Sequence, residues 1–385
     1  MDNPVNWSYP TAIRFGAGRI AELGEACQSA GILNPLLVTD PGLVNLPITG
    51  TAVAAVESAG LPCAVFADIK PNPTGENVEA GLAMMRSGGH DGVIAFGGGS
   101  ALDAGKVIAF MFGQTRPLWD FEDIGDWWTR ADADGIKPVI AVPTTAGTGS
   151  EVGRAGVITN SDTHTKKIIF HPKMLPVTVI CDAALTVDLP PHLTAGTGID
   201  AFIHCLEAYC SNVYHPLSAG IAVEGMRLIK DNLPAAFADG SNLMARGHLL
   251  SAAAMGATAF QKGLGGIHAL AHPIGAVYDT HHGLTNAVLA PYVLKRNRVA
   301  VEARFTRLCQ WLDIDGGFDG FMQYLLALRE SMGIPHTLDA IGVGDDRFEL
   351  LASMAVDDPS MGTNPIALTT DDCMALLRAA HSGTL

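Results

Sequence analysis

Four apolar runs in the first half of the chain end in turn residues and alternate with stretches of helical character. That pattern restricts the fold more than any other feature. The runs are LLVTD (Leu36–Asp40), CAVFAD (Cys63–Asp68), GVIAFGGGS (Gly92–Ser100) and PVIAVPTT (Pro138–Thr145), and helical patterns cover Gly50–Ala59 and Asn77–Ser87. A strand that is apolar along its whole length has both faces covered, and helices between successive strands supply the cover. The first 180 residues therefore read as an α/β unit around a parallel, Rossmann-like sheet, with ligands at the carboxyl ends of its strands. After Asp182 the segment ALTVDLPPHLTAGTGID brings Pro190, Pro191, Gly196 and Gly198, and the β-runs stop. Helices are expected over 198–211, 217–232, 243–261, 268–277, 298–312, 317–332, 347–354 and 371–380. The boundary is placed near residue 185, giving an α/β domain (1–185) and an all-helical domain (186–385).

Hydrophobic residues make up 48% of the 385 and charged residues only 16%, against about 25% charged in an average protein. The apolar share is ordinary and fills a core, and so few charges leave surface for an interface, so a homo-oligomer, dimer or larger, is expected. Lys plus Arg number 24 and Asp plus Glu 39, a net charge of −15. No basic patch is available for nucleic acid or an anionic membrane. The seven cysteines are scattered without a Cys-x-x-Cys pair, which excludes a disulfide framework and a zinc ribbon. The N-terminal MDNPVNWSYPTAIRF has no basic start followed by an apolar run, so no secretory leader is expected. The longest apolar stretch, 249–260, falls short of the roughly twenty residues of a membrane span. These features point to the cytoplasm.

The turn AFGGGSALDAGK, Ala95 to Lys106, runs from a strand through three glycines into a helix beginning at Ser100. Glycines admit a phosphate close to the backbone, and the helix start offers free N–H groups. It is neither G-x-G-x-x-G nor a Walker loop, and a tight strand–helix turn without ligand is the alternative. PTTAGTGSE, from Pro143 to Glu151, adds a second strand-end loop, with Thr144, Thr145, Thr148 and Ser150, able to wrap a phosphate or a nicotinamide. Asp40 ends the first run, where a carboxylate binds a ribose 2′-hydroxyl and repels a 2′-phosphate. It precedes the glycines instead of following them, so an Asx turn is the competing reading.

Of thirteen histidines, four fall between residues 268 and 282: His268, His272, His281 and His282. GIDAFIHCLEA places Asp200 and His204 at i, i+4, on one helix face, and His268 and His272 repeat the spacing. A carboxylate with several imidazoles and no thiolate suits iron(II) or zinc; packed histidines are the alternative. The stretch Thr115–Trp128 gathers three of five tryptophans, as a substrate wall or as a packed loop or subunit contact.

With these pieces assembled, the sequence resembles the iron-containing, group III alcohol dehydrogenases. The matching motifs are FGAGRI near Phe15, GGGSALDAGK, PTTAGTGSEV, GIDAFIHCLEAY, GIHALAHPIGAVYDTHHG and DPSMGTNP near Asp358, in the family's order along nearly the whole chain. The resemblance implies an NAD(P)-binding domain on the scaffold shared with dehydroquinate synthase, an all-helical domain, and a divalent metal between them. By motif position it implies Asp200, His204, His268 and His282 as ligands to Fe2+, with Zn2+ as the second choice, and His272 as a non-ligand beside the nicotinamide; His281 stays outside the set. Gly98, Gly99, Ser100 and Asp103 match the pyrophosphate loop, Thr144, Thr145 and Thr148 the second loop, and Asn72 and Lys166 further cofactor positions. Gly153 departs from the family's usual threonine, and Arg154 follows it, a guanidinium suited to a substrate carboxylate or turned outward onto an acid such as Glu151.

The activity implied is NAD-dependent interconversion of an alcohol with an aldehyde or ketone, with NADP disfavoured by Asp40; a short hydroxy acid or its semialdehyde is one substrate class. A sugar-phosphate cyclase of the dehydroquinate synthase type is the first rival. It needs several basic residues near the histidines, where Lys262 is the nearest. A non-catalytic metal-binding protein is the second, and it leaves both phosphate loops unexplained.

Overall fold

The computed structural model describes residues 10–163 and 165–385; most of the N-terminal stretch read for a leader lies outside the described residues. The chain divides into two compact units. One runs up to Thr145 and resumes over Gly149–Asp188; the other comprises Ala146–Thr148 and Leu189–Leu385.

The first unit is built on strands β1 (Ala12–Phe15), β2 (Pro35–Val38), β3 (Ala64–Phe66), β4 (Gly92–Gly97) and β5 (Val139–Pro143). β6 (Ala155–Asn160) and β7 (Thr165–Phe170) follow, then β8 (Thr178–Cys181). Six of them form a parallel sheet in the order β1-β8-β5-β4-β2-β3. β2, β4 and β5 are buried at every position, as their unbroken apolar sequences require. One face packs Leu37, Ile94, Phe96, Ile140 and Val142 against α1 (Leu23–Ser29) and α2 (Pro47–Ser58). The other carries α3 (Gly75–Ser87) and α4 (Gly99–Met111). α4 lies so close to the sheet that a Cβ on Gly105 would stand 2.7 Å from that of Ala95.

The first half is not purely parallel. β6 and β7 form an antiparallel hairpin, and its polar TKKIIF half lacks the apolar continuity that marks a central strand. The tryptophan stretch packs on its own unit: Trp128 stands edge-on to Phe170 and His171, and the bridge Glu122–Ile169 ties this loop to β7.

The second unit is helical: α5 (Pro191–Cys210), α6 (Pro216–Ala238), α7 (Leu243–Ala259), α8 (Gly266–Tyr278), α9 (His282–Trp311), α10 (Gly317–Ser331), α11 (Phe348–Asp357) and α12 (Thr370–Ser382). Two helices start earlier than expected. α5 begins at Pro191, because proline suits the first turn, where no N–H is needed. α9 begins at His282, with His281 capping it by accepting Leu284 N at 3.4 Å. No helix among the described residues is long and apolar enough to cross a membrane.

Candidate active site

Helical spacing puts Asp200 and His204 on one face of α5; α8 supplies His268 near its start, and His282 opens α9. The start of α9 can approach α5 because residue 283 is glycine: a Cβ there would sit 2.1 Å from the Gly196 carbonyl oxygen. Asp200 Oδ1 lies 4.0 Å from His204 Nε2, 3.8 Å from His268 Nε2 and 3.6 Å from His282 Nε2. Those separations exceed hydrogen-bond length. Donors about 2.1 Å from a shared ion stand about 3.4 Å apart around a tetrahedron, so the spacing fits a cation better than direct pairing. One ligand atom from each of the four residues lies within 4.8 Å of the others. One carboxylate and three imidazoles, with no thiolate, is a donor set for iron(II) or zinc. The residues present fit the metal.

The electrostatics agree. Burial alone would push the Asp200 carboxyl up, but His204, His282 and His268 outweigh it and hold it well below the carboxylate range. Burial pushes His204 down to about 4 despite Asp200, leaving a neutral ring with a lone pair to share. For His268 burial acts the same way, yet the carboxylates of Asp200 and Glu207 carry it up to about 9. A doubly charged cation would compete with that proton.

Three neighbours were not picked out by sequence reasoning. Glu207, two turns beyond Asp200 and 5% exposed, accepts a 2.7 Å hydrogen bond from His268 Nδ1. It also accepts from the backbone N–H groups of Gly265 (3.0 Å), Ile267 (2.7 Å) and His268 (3.4 Å). Buried Asn286, one turn after His282, donates from Nδ2 to Asp200 Oδ1 at 2.8 Å. Asp358 Oδ2 accepts from His272 Nδ1 at 2.8 Å. Glu207 and Asn286 share helix faces with chosen residues, which is a usable signal. Nothing in the sequence brings Asp358 to His272.

His272 lies beside the cluster, its ring stacked on that of His282 at 5.5 Å and 10°. His281 is engaged as the cap of α9, its ring against Gly196 of α5.

In the sheet unit, Asp40, Gly98, Gly99, Ser100, Thr144 and Thr145 follow the carboxyl ends of adjacent strands β2, β4 and β5. Gly97 has φ 145°, and a Cβ on it would meet Ala101 Cβ at 2.8 Å; no other residue type is tolerated there. Thr144 N donates to the Gly97 carbonyl at 3.0 Å, which joins the two loops. Asp40 accepts from Gly42 N at 2.8 Å and Leu43 N at 3.1 Å. It forms the Asx turn and still sits beside the glycine loop. Asn72 follows β3, next to Pro71, whose carbonyl accepts from Ser100 Oγ. Lys166 is on β7, opposite Thr159.

Asp103 faces inward. Its carboxylate accepts from Ser150 Oγ, pairs with buried Lys106 Nζ at 3.2 Å and accepts from Val157 N at 3.0 Å. It ties α4 to the hairpin. The guanidinium of Arg154 stands 5.4 Å over the Phe170 ring, near Asp123. Thr148 belongs with the helical unit.

A parallel sheet with a glycine loop at its strand ends and, in the same chain, a donor set of one aspartate and three histidines fit an enzyme that uses a nucleotide cofactor and a divalent metal. The family model "iron-containing alcohol dehydrogenase" matches residues 10–183, and that of the family's C-terminal region matches residues 194–381. The chain is 37% identical to the 4-hydroxybutyrate dehydrogenase of Cupriavidus necator over 379 residues, covering 96% of this chain and 98% of that protein. Its fold is similar to the crystal structure of 1,3-propanediol oxidoreductase, with TM-score 0.93, 34% identity and coverage of 98% and 100%. It is also similar to sulfoacetaldehyde reductase from Bifidobacterium kashiwanohense in complex with NAD+, with TM-score 0.88, 27% identity and coverage of 98% and 100%. The chain belongs to the iron-containing alcohol dehydrogenase family. It is an oxidoreductase of alcohols and aldehydes.

Proposed function

We propose that this protein oxidises an alcohol reversibly to an aldehyde or ketone, with NAD as hydride acceptor and Fe2+ held by Asp200, His204, His268 and His282. The observation that carries the reading is the spacing of the Asp200 oxygen from three imidazole nitrogens, 3.6–4.0 Å. The sheet unit serves as the cofactor domain expected over residues 1–185, and the helical unit, with Ala146–Thr148, as the metal-binding, catalytic one expected over residues 186–385. When bound, the metal supplies a Lewis acid that lowers the pKa of the substrate hydroxyl, and the nicotinamide accepts the hydride. Gly98, Gly99 and Ser100 at the start of α4 bind the pyrophosphate through backbone N–H groups. Thr144, Thr145 and Thr148, with Asn72 and Lys166, orient the rest of the dinucleotide. Asp103 serves that site from behind, by fixing α4 to the hairpin. Asp40 binds the adenosine ribose and disfavours NADP. His272 takes the hydroxyl proton at Nε2 and passes it to solvent.

The exposed residues Ile13 and Phe15 of edge strand β1 support a homo-oligomer. Seven free cysteines suit a reducing cytoplasm. Similarity to a 4-hydroxybutyrate dehydrogenase favours a short hydroxy acid or its semialdehyde as a second substrate reading. In that reading Arg154 leaves its place over Phe170 to pair with the substrate carboxylate.

Anaerobically purified protein is to be assayed for NADH with alcohols, diols and hydroxy acids, and again as Arg154→Ala. Turnover of an alcohol with NAD is expected, and no turnover of any of them overturns the reading. A loss confined to acids, about 30-fold or 2 kcal/mol, supports the hydroxy acid; equal losses on acid and neutral alcohol reject it.

A further inference from the structure

His272 and Asp358 are 86 residues apart and meet at 2.8 Å, Nδ1 to Oδ2. The second carboxylate oxygen accepts Ser360 N at 2.8 Å, because Asp358 caps the short turn Pro359–Thr363. The same stretch grips the start of α8. Thr363 Oγ1 donates to the Leu264 carbonyl at 2.8 Å, and Asn364 Oδ1 accepts Gly266 N at 2.9 Å and Asn297 Nδ2 at 2.8 Å. The carboxylate and the helix that bears His272 are therefore held as one piece. Burial would push the Asp358 carboxyl up, but the facing His272 ring and the bonds from Ser360 hold it below its usual value. A carboxylate only accepts hydrogen bonds, so His272 Nδ1 is the donor, and in the neutral ring that tautomer leaves the lone pair on Nε2. Among the described residues Nε2 has no hydrogen-bond partner, and the His272 side chain is 20% exposed. Glu207 engages Nδ1 of His268 in the same way, so α8 carries two imidazoles whose Nε2 atoms are set by carboxylates on Nδ1.

We propose that Asp358 is a positioning residue for proton transfer: it fixes the tautomer and orientation of His272 so that Nε2 receives the proton of the alcohol. This rests on the reading of His272 as the proton acceptor given above. In the step, the hydroxyl O–H bond breaks and an Nε2–H bond forms. The carbinol hydride leaves with its electron pair for NAD+, so the alcohol is oxidised and the cofactor reduced. Nδ1–H stays bonded to Asp358, which stabilises the charged ring.

A double-mutant cycle tests this, with kcat and KM measured on metal-loaded wild type, Asp358→Ala, His272→Ala and the double variant. Asp358→Ala should lower kcat by about 10- to 100-fold, with KM nearly unchanged. In the His272→Ala background the same substitution should change kcat by less than about twofold, since it acts through a ring already gone. Asp358→Asn has one acceptor oxygen for two donors, Ser360 N and His272 Nδ1, that Asp358 meets with separate oxygens. With that oxygen kept on Ser360 its NH2 faces Nδ1 and favours the opposite tautomer, so the loss in kcat should persist although the cap is retained. Independent of turnover, 15N-histidine spectra of the apoprotein should show the His272 ring protonated at Nδ1 in the wild type, and that preference should fade in Asp358→Ala. Independent, multiplicative losses, or unchanged His272 spectra, overturn the proposal and leave His272 as the acceptor. Full turnover in His272→Ala overturns both assignments, while metal-dependent alcohol oxidation stands.

Discussion

Asp40 and Glu151 show how one side chain's surroundings set its chemistry. Asp40 precedes the glycines in sequence but stands beside them in space, because β2 lies next to β4 in the sheet. A cofactor 2′-phosphate there would meet a carboxylate. Asp40→Gly should therefore narrow the preference in kcat/KM for NAD over NADP by about tenfold or more, which is 1.4 kcal/mol or more; equal use of both cofactors by the wild type contradicts the placement. Glu151 is 1% exposed, and burial pushes its carboxyl up to about 7 from 4.5, against the pull of Lys106. The folded state thus holds this proton more tightly than the unfolded chain does. The stability it contributes is complete below about pH 4.5 and is lost as pH rises through about 7. Glu151→Gln does not titrate, so its unfolding free energy should gain on that of the wild type across this window, by up to about 3 kcal/mol. A pH-independent difference in denaturant titrations contradicts it. Helical spacing made Asp200 and His204 legible as a pair, whereas taking His268 and His282 into the set and leaving His272 out came from the family's motif positions. Asp358 was not legible, since its partner lies 86 residues away and only the tertiary fold joins them.

At the scale of elements, helix α8 is held by acceptors at its start. Glu207 takes the N–H groups of Gly265, Ile267 and His268 as well as the His268 ring. Glu207→Gln replaces an oxygen with an amide that faces those donors. Metal affinity, measured by competition with a chelator, should fall about 10- to 100-fold, while the sheet unit keeps its melting transition; an unchanged affinity removes Glu207 from the site. The central strands β2, β4 and β5 were legible as unbroken apolar runs between turn residues. Strand β1 was not, because its AIRF sequence is mostly exposed at the sheet edge. The hairpin β6–β7 pairs polar residues, such as Lys166 with Thr159, that carry no strand signal by themselves. The early starts of α5 and α9 were hidden by Pro191 and by the glycine after His282, residues that suit a helix's first turn as well as a loop.

For the molecule as a whole, the change in character after Asp182 was legible because continuous strands give way to helices. That Ala146–Thr148 belongs with the helical unit was not, since its glycine and threonine read as part of the loop after β5. The candidate metal donors Asp200, His204, His268 and His282 all lie in the helical unit, and the glycine loop after β4 lies in the sheet unit. Loss of a metal donor should abolish turnover and leave the sheet unit folded. The most direct measurement is iron content beside NADH formation, on protein purified without oxygen, for the wild type, His268→Ala and His281→Ala. The predicted result is iron and turnover in the wild type, loss of both in His268→Ala with a retained fold, and iron retained in His281→Ala. Full iron occupancy in His268→Ala would contradict the assignment of Asp200, His204, His268 and His282 as the metal site.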